Sequence, residues 1–115
     1  MARKTIIAGN WKMNGLKSDG RKLASAIAKR MKKLKKPGFE MVVCPPFPLI
    51  GLANDTIKGS GLKLGAQDCH ADVSGAHTGD VSPELLKNMG CKYVIVGHSE
   101  RRTDHGEKDA DVKAK

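Results

Sequence analysis

The sequence predicts an α/β fold built on a parallel sheet, and three observations carry the prediction. Four short apolar runs punctuate the chain, each suited to a strand. Amphipathic or well-capped helical stretches separate them, so strand and helix alternate without a break, as in consecutive βαβ units. Three of the runs are nearly continuous in apolar residues, as expected where both faces of a parallel strand are covered.

The elements follow in order. Residues 5–9 (Thr-Ile-Ile-Ala-Gly) form the first strand, and 10–18 a connector after it. A helix is expected over about 19–35, with Leu23, Ile27, Met31 and Leu34 recurring at helical spacing as its apolar stripe. Pro37 and Gly38 stop it. Residues 40–44 form the second strand. Pro45, Pro46 and Pro48 open a second helix with Leu49, Leu52, Ala53 and Ile57 on one side, ending before Gly59. Residues 62–66 form the third strand. A third helix has Ser82 as N-cap, Pro83 at its first position, Glu84 in its first turn and Gly90 past its end. Residues 93–97 form the fourth strand, residues after His98 start a short helix, and 107–115 begin another. Right-handed crossovers place the helices on the sheet's outer side. An open four-stranded sheet leaves two unpaired edges, which invite association.

Composition narrows the function classes. Hydrophobic residues are 39% and charged residues 29%, ordinary for a globular protein, and no run approaches the length of a membrane span. The start of the chain lacks the apolar region of a secretory signal. Cys44, Cys69 and Cys91 are odd in number and widely spaced, which reads as free thiols in a reducing compartment, hence the cytoplasm. The net charge of +9 is concentrated between Arg21 and Lys36. On an amphipathic helix these cations form the solvated face. A nucleic-acid patch is the competing reading, but Phe39, Phe47 and Tyr93 are the only aromatics besides Trp11, a poor basis for stacking bases.

Two stretches are more than connectors. Residues 67–80 make a long Gly-, Ser- and Asp-containing loop, of a length that is usually functional. Asp68, Cys69, His70, Asp72 and His77 fall inside it, but without the paired spacings typical of tetrahedral zinc, so no metal site is expected. Cys44 lacks an activating neighbour and reads as a buried small hydrophobe, and His105 as a surface residue. The second stretch, Gly9-Asn10-Trp11-Lys12-Met13-Asn14, lies at the carboxyl end of the first strand, where α/β folds bind ligands. Lys12 there offers a positive charge to an anion and Asn10 a hydrogen bond, or both are simply a solvated loop. His98 follows an apolar strand and precedes a helix start. A neutral imidazole there could give a hydrogen bond to a substrate oxygen, or be a structural histidine at a strand end. Glu100, Arg101 and Arg102 read equally as an exposed ion-pair cluster.

Taken together, Ala8 to Asn14, Gly65-Ala66-Gln67, Ser74 to Asp80 and Tyr93 to Arg102 resemble the triosephosphate isomerase family in order and spacing, across essentially the whole chain. His77 stands where that family often has phenylalanine, and Asp80 where it usually has glutamate. The resemblance implies a (β/α)8 TIM barrel, with residues 1–115 as the N-terminal half of one domain, cut within its fourth helix. It implies a glycolytic and gluconeogenic isomerase that interconverts dihydroxyacetone phosphate and D-glyceraldehyde 3-phosphate by enediolate proton transfer, with no cofactor and no metal. The partners it implies are the phosphorylated triose and a second subunit, with no nucleic acid and no membrane. His98 and Lys12 would be catalytic, Asn10 and Lys12 substrate-binding, and Glu100 would support Lys12. The neutral state of such a histidine, held by a helix terminus, also comes from the resemblance. Met13 and Thr78 would meet at the dimer interface, with Gln67 and Arg101 bracing the long loop. The family's glutamate base, lid and glycine-rich phosphate loops are not among these residues, so the chain alone is expected to be inactive. The alternative is a non-catalytic, self-associating half-barrel with weak phosphate binding through Lys12.

Overall fold

The structure is a computed structural model and describes residues 2–115. Its four strands are β1 (Ile6–Asn10), β2 (Glu40–Cys44), β3 (Lys63–Ala66) and β4 (Tyr93–Val94), in one sheet of order β1-β2-β3-β4. All three pairings are parallel, with Ile6 opposite Glu40, Val42 opposite Lys63 and Gly65 opposite Tyr93. The helices are α1 (Lys17–Lys32), α2 (Ile50–Thr56, entered through a 3₁₀ turn at Phe47–Leu49), α3 (Pro83–Asn88), α4 (Ser99–His105) and α5 (Asp109–Ala114). The alternation and the parallel order are those expected of the first βα units of a TIM barrel.

The core lies between sheet and helices. Val43, Leu64 and Ala66 from the strands meet Ala24, Ala28 and Met31 of α1, Ile50 and Ala53 of α2, and Leu86 of α3. The third helix is capped as its sequence dictates: Ser82 Oγ accepts from the Leu85 N–H at 3.2 Å, with Pro83 at the first helical position.

Two expectations need correction. The buried stripe of α1 is Gly20, Ala24, Ala28 and Met31, whereas Leu23 and Leu34 are close to half exposed. Close packing decides this. A Cβ on Gly20 would stand 3.0 Å from Leu49 Cδ1, so only small residues fit where α1 meets the segment leading into α2. Nor are both faces of every strand covered: Ile6 and Ile7 on β1 and Val94 and Val96 at β4 remain 37–46% exposed, because each of these strands has a neighbour on one side only. β4 is short, and bonds from the Lys92 N–H to the Leu64 carbonyl (2.8 Å) and from the Ile95 N–H to the Ala66 carbonyl (2.9 Å) continue its pairing with β3 at either end.

On the face opposite the helices, Val42 and Cys44 of β2 close over β3 at Gly65. A Cβ at Gly65 would lie 2.7 Å from Cys44 Sγ, 3.1 Å from Val42 Cγ1 and 3.3 Å from the Tyr93 carbonyl. Gly65→Ala is therefore expected to cost about 1–3 kcal/mol of stability, the usual range for overpacking a filled interior. Urea denaturation checks this, and a wild-type midpoint would show that β2 yields freely.

Candidate active site

The carboxyl ends of β1, β3 and β4 converge on one cleft of about 630 Å³, lined by Asn10, Lys12, Gln67, His98, Glu100 and Arg101 among others. Lys12 is the first residue of interest because of its backbone. Its φ is +57°, a left-handed conformation that a residue with a Cβ adopts at a cost. The surroundings hold it there from three sides. The Lys12 N–H donates to Asn10 Oδ1 at 2.9 Å. The Lys12 carbonyl accepts from Gln67 Nε2 at 2.9 Å, while the same amide reaches the Cys44 carbonyl at 2.8 Å. Finally, the Lys12 ammonium donates to Glu100 Oε1 at 2.6 Å. Asn10 thus spends its carbonyl oxygen on positioning Lys12 and keeps its NH₂ as a donor.

His98 enters from the other side of the cleft as the N-cap of α4. Its Nδ1 accepts from the Glu100 backbone N–H at 3.0 Å. The lone pair is therefore at Nδ1, and a neutral ring in this arrangement carries its hydrogen on Nε2, free to donate. Glu100 links the two groups: one oxygen binds Lys12, and the other lies 3.8 Å from His98 Nδ1. The Lys12 ammonium, through its hydrogen bond, holds the Glu100 carboxyl below the usual carboxylate range, so Glu100 is an anion beside the lysine. A fixed ammonium and a ring donor facing one cleft suit a substrate oxygen that gains negative charge.

Comparison with known proteins agrees. Residues 5–115 match the family model described as triosephosphate isomerase. Curated relatives of that name include those of Gluconacetobacter diazotrophicus (50% identical over 112 residues, 97% of this chain), Afipia carboxidovorans (54% over 112 residues, 97%) and a Ruegeria species (51% over 115 residues, 100%). The chain belongs to the triosephosphate isomerase family. It spans 44–45% of the length of those triosephosphate isomerases.

The residues that the family resemblance singles out fall into two places. Asn10, Lys12, Glu100 and His98 share the cleft, and Met13, 93% exposed, lies at its rim. Thr78 is away from them, exposed on the long loop after β3. The expected role of Gln67 needs correction, because its hydrogen bonds go to the Lys12 and Cys44 carbonyls and so brace the β1–α1 loop rather than the long one. Arg101 does meet the long loop at its base, through Asp68 at 3.2 Å.

Arg101 belongs to a larger network that sequence reasoning missed. Its Nε donates to Glu107 Oε2 at 2.6 Å, and Lys115 Nζ reaches both Asp68 (2.6 Å) and Glu107 (2.7 Å). The network fastens α4, which carries Glu100 at its start, to the base of the long loop and the end of α5. Lys115 and Arg101 together hold the Glu107 carboxyl below the usual range, against the opposing effect of burial. Burial pulls Lys115 down, but the bonds to Asp68 and Glu107 outweigh it and leave its pKa raised. The thiols of Cys44 and Cys91 are pushed up to about 11 by burial, so both are small apolar core groups. His105 is exposed, as expected.

Proposed function

We propose that this chain supplies the lysine–histidine half of a triosephosphate isomerase active site. In this reading the full enzyme is a cytoplasmic homodimer of glycolysis and gluconeogenesis that interconverts dihydroxyacetone phosphate and D-glyceraldehyde 3-phosphate. Lys12 and Asn10 bind the substrate, with Lys12 stabilising the enediolate charge. His98 donates from Nε2 to the carbonyl oxygen and moves protons between the two oxygens, and Glu100 keeps Lys12 in place. Thr78 inserts into the second subunit near Met13. The observation that carries the reading is the shared cleft, in which one carboxylate, Glu100, stands beside both the ammonium and the imidazole.

Abstraction of a proton next to a carbonyl needs a positioned base, commonly worth about 10²–10⁴ in rate. Glu100 is committed to Lys12, and the family's base stretch is not among these residues. The 115-residue chain alone is therefore expected to show no isomerase turnover above background. Fused to the remaining half of the Afipia relative it is expected to turn over, and Lys12→Met in that fusion to lower the rate by about 10²–10³, the usual cost of one oxyanion donor. Full turnover by the isolated chain, or an active fusion indifferent to Lys12→Met, would overturn the assignment.

A second reading is favoured by the uncovered strands. Ile6, Ile7, Val94 and Val96 suit a non-catalytic half-barrel that self-associates and keeps weak phosphate affinity through Lys12. Sedimentation across concentrations separates it from a monomer.

A further inference from the structure

We propose that the long loop holds a divalent ion of the zinc class, with His70, Asp72 and His77 as its protein ligands. One donor atom from each of the three lies within 4.8 Å of the others. Spacing along the chain gave no hint of this, because the cluster is made by the way the loop turns back on itself. The His70 N–H bonds to the Val81 carbonyl at 2.8 Å and closes the base of the loop. Gly75, with φ +137°, then lets the His77 ring fold inward: a Cβ there would stand 3.1 Å from His77 Nε2. The two imidazoles face each other at 4.0 Å between centroids.

The donor atoms reach the state a metal needs by choice of tautomer alone. His70 Nδ1 accepts from the Asp72 N–H at 2.8 Å, so it presents a lone pair. His77 Nε2 carries the ring hydrogen and donates to Asp72 Oδ2 at 2.7 Å; a metal replaces this contact by binding both atoms, the neutral ring then keeping its hydrogen on Nδ1. Bond lengths of about 2.0–2.1 Å in a tetrahedral site place neighbouring donors roughly 3.3 Å apart, so the pair opens slightly and the stacked rings pivot. Both hydrogen bonds given up are exposed, and water replaces them. Imidazole with one carboxylate suits zinc and its neighbours over magnesium or calcium. Asp80 and Glu84 line the same recess of about 390 Å³ and add negative charge around the cation. The remaining coordination position goes to water. Cys69 adjoins His70 in sequence, but it is 2% exposed in the core and its thiol is pushed up chiefly by burial, so it stays out of the site. The ion would clip His77 to the loop's base and stiffen the segment ahead of Thr78.

The test is equilibrium dialysis of the reduced 115-residue chain against zinc chloride at neutral pH, with imidazole NMR of the wild-type chain alongside. One ion per chain is expected. His70→Ala and His77→Phe should each weaken binding by more than about tenfold, since loss of even an outer partner of a metal ligand commonly costs that much. His105→Ala, at an exposed histidine elsewhere, should leave binding unchanged. In the wild-type spectrum, zinc should shift the ring signals of His70 and His77 and not those of His105. The proposal is overturned by absence of stoichiometric binding, by variants that bind like wild type, or by unmoved His70 and His77 signals in the wild-type chain, a readout that does not depend on any variant folding.

Discussion

Leu64→Ala is expected to lower the unfolding free energy by about 2–5 kcal/mol, the range for truncating a leucine in a core that cannot collapse around the void. Leu64 is 2% exposed in β3, an interior strand of the sheet, and packs into the core shared by α1, α2 and α3. Flanking strands on both sides limit how far the backbone can follow a missing side chain. Domains of this kind have about 5–15 kcal/mol in total, so the variant should show a large drop in urea midpoint. A loss under about 1 kcal/mol would mean that the side chain is not held as described. The damage should reach the cleft as well, since Gln67, which fixes the Lys12 and Cys44 carbonyls, directly follows this strand.

Glu107→Gln is expected to cost about 3 kcal/mol at neutral pH, the low end of the range for breaking a buried ion pair, because Asp68 still serves Arg101 and Lys115. The pH dependence gives the second check. The folded pKa of Glu107 lies below its ordinary value of about 4.3, so the unfolded chain takes up the proton first. The stabilisation is therefore complete above the unfolded value and is lost as pH falls through the folded one. The gap between wild type and variant should close in acid. Glu40 and Glu100 are also held low, by Tyr93 and by Lys12, so the variant keeps part of the acid slope. Urea titrations at neutral pH and below the carboxylate range measure both; a gap that persists in acid would mean that shape, not charge, is responsible.

What could be read from the sequence was whatever depends on neighbours along the chain. The second strand spans residues 40–44 as its apolar run predicts, and Ser82 and Pro83 start α3 where local capping chemistry places them. The face of α1 was misread because Leu23 and Leu34 fit a periodic stripe, while the buried face is chosen by how closely Gly20 can approach Leu49, a tertiary matter. The fourth strand is shorter than its apolar run, with regular pairing confined to Tyr93 and Val94 opposite Gly65 and Ala66, a matter of partner geometry that hydropathy does not show. At the cleft, Lys12 and His98 were found by motif, and Glu100 as the partner of Lys12. The roles of Gln67 and Lys115 depend on partners 55 and 47 positions away, which no local pattern announces. The grouping of His70, Asp72 and His77 in one loop is visible in the sequence, but their irregular spacing does not show the convergence, which a glycine turn supplies.

With the role proposed for Lys12, its left-handed backbone sets stability against chemistry at a single position. A non-glycine residue in such a region carries a strain of about 1–3 kcal/mol, which glycine, and in part asparagine, would relieve. A library randomised at residue 12 and sorted for thermal resistance should drift toward those two residues, and one sorted for turnover of the assembled enzyme should return lysine.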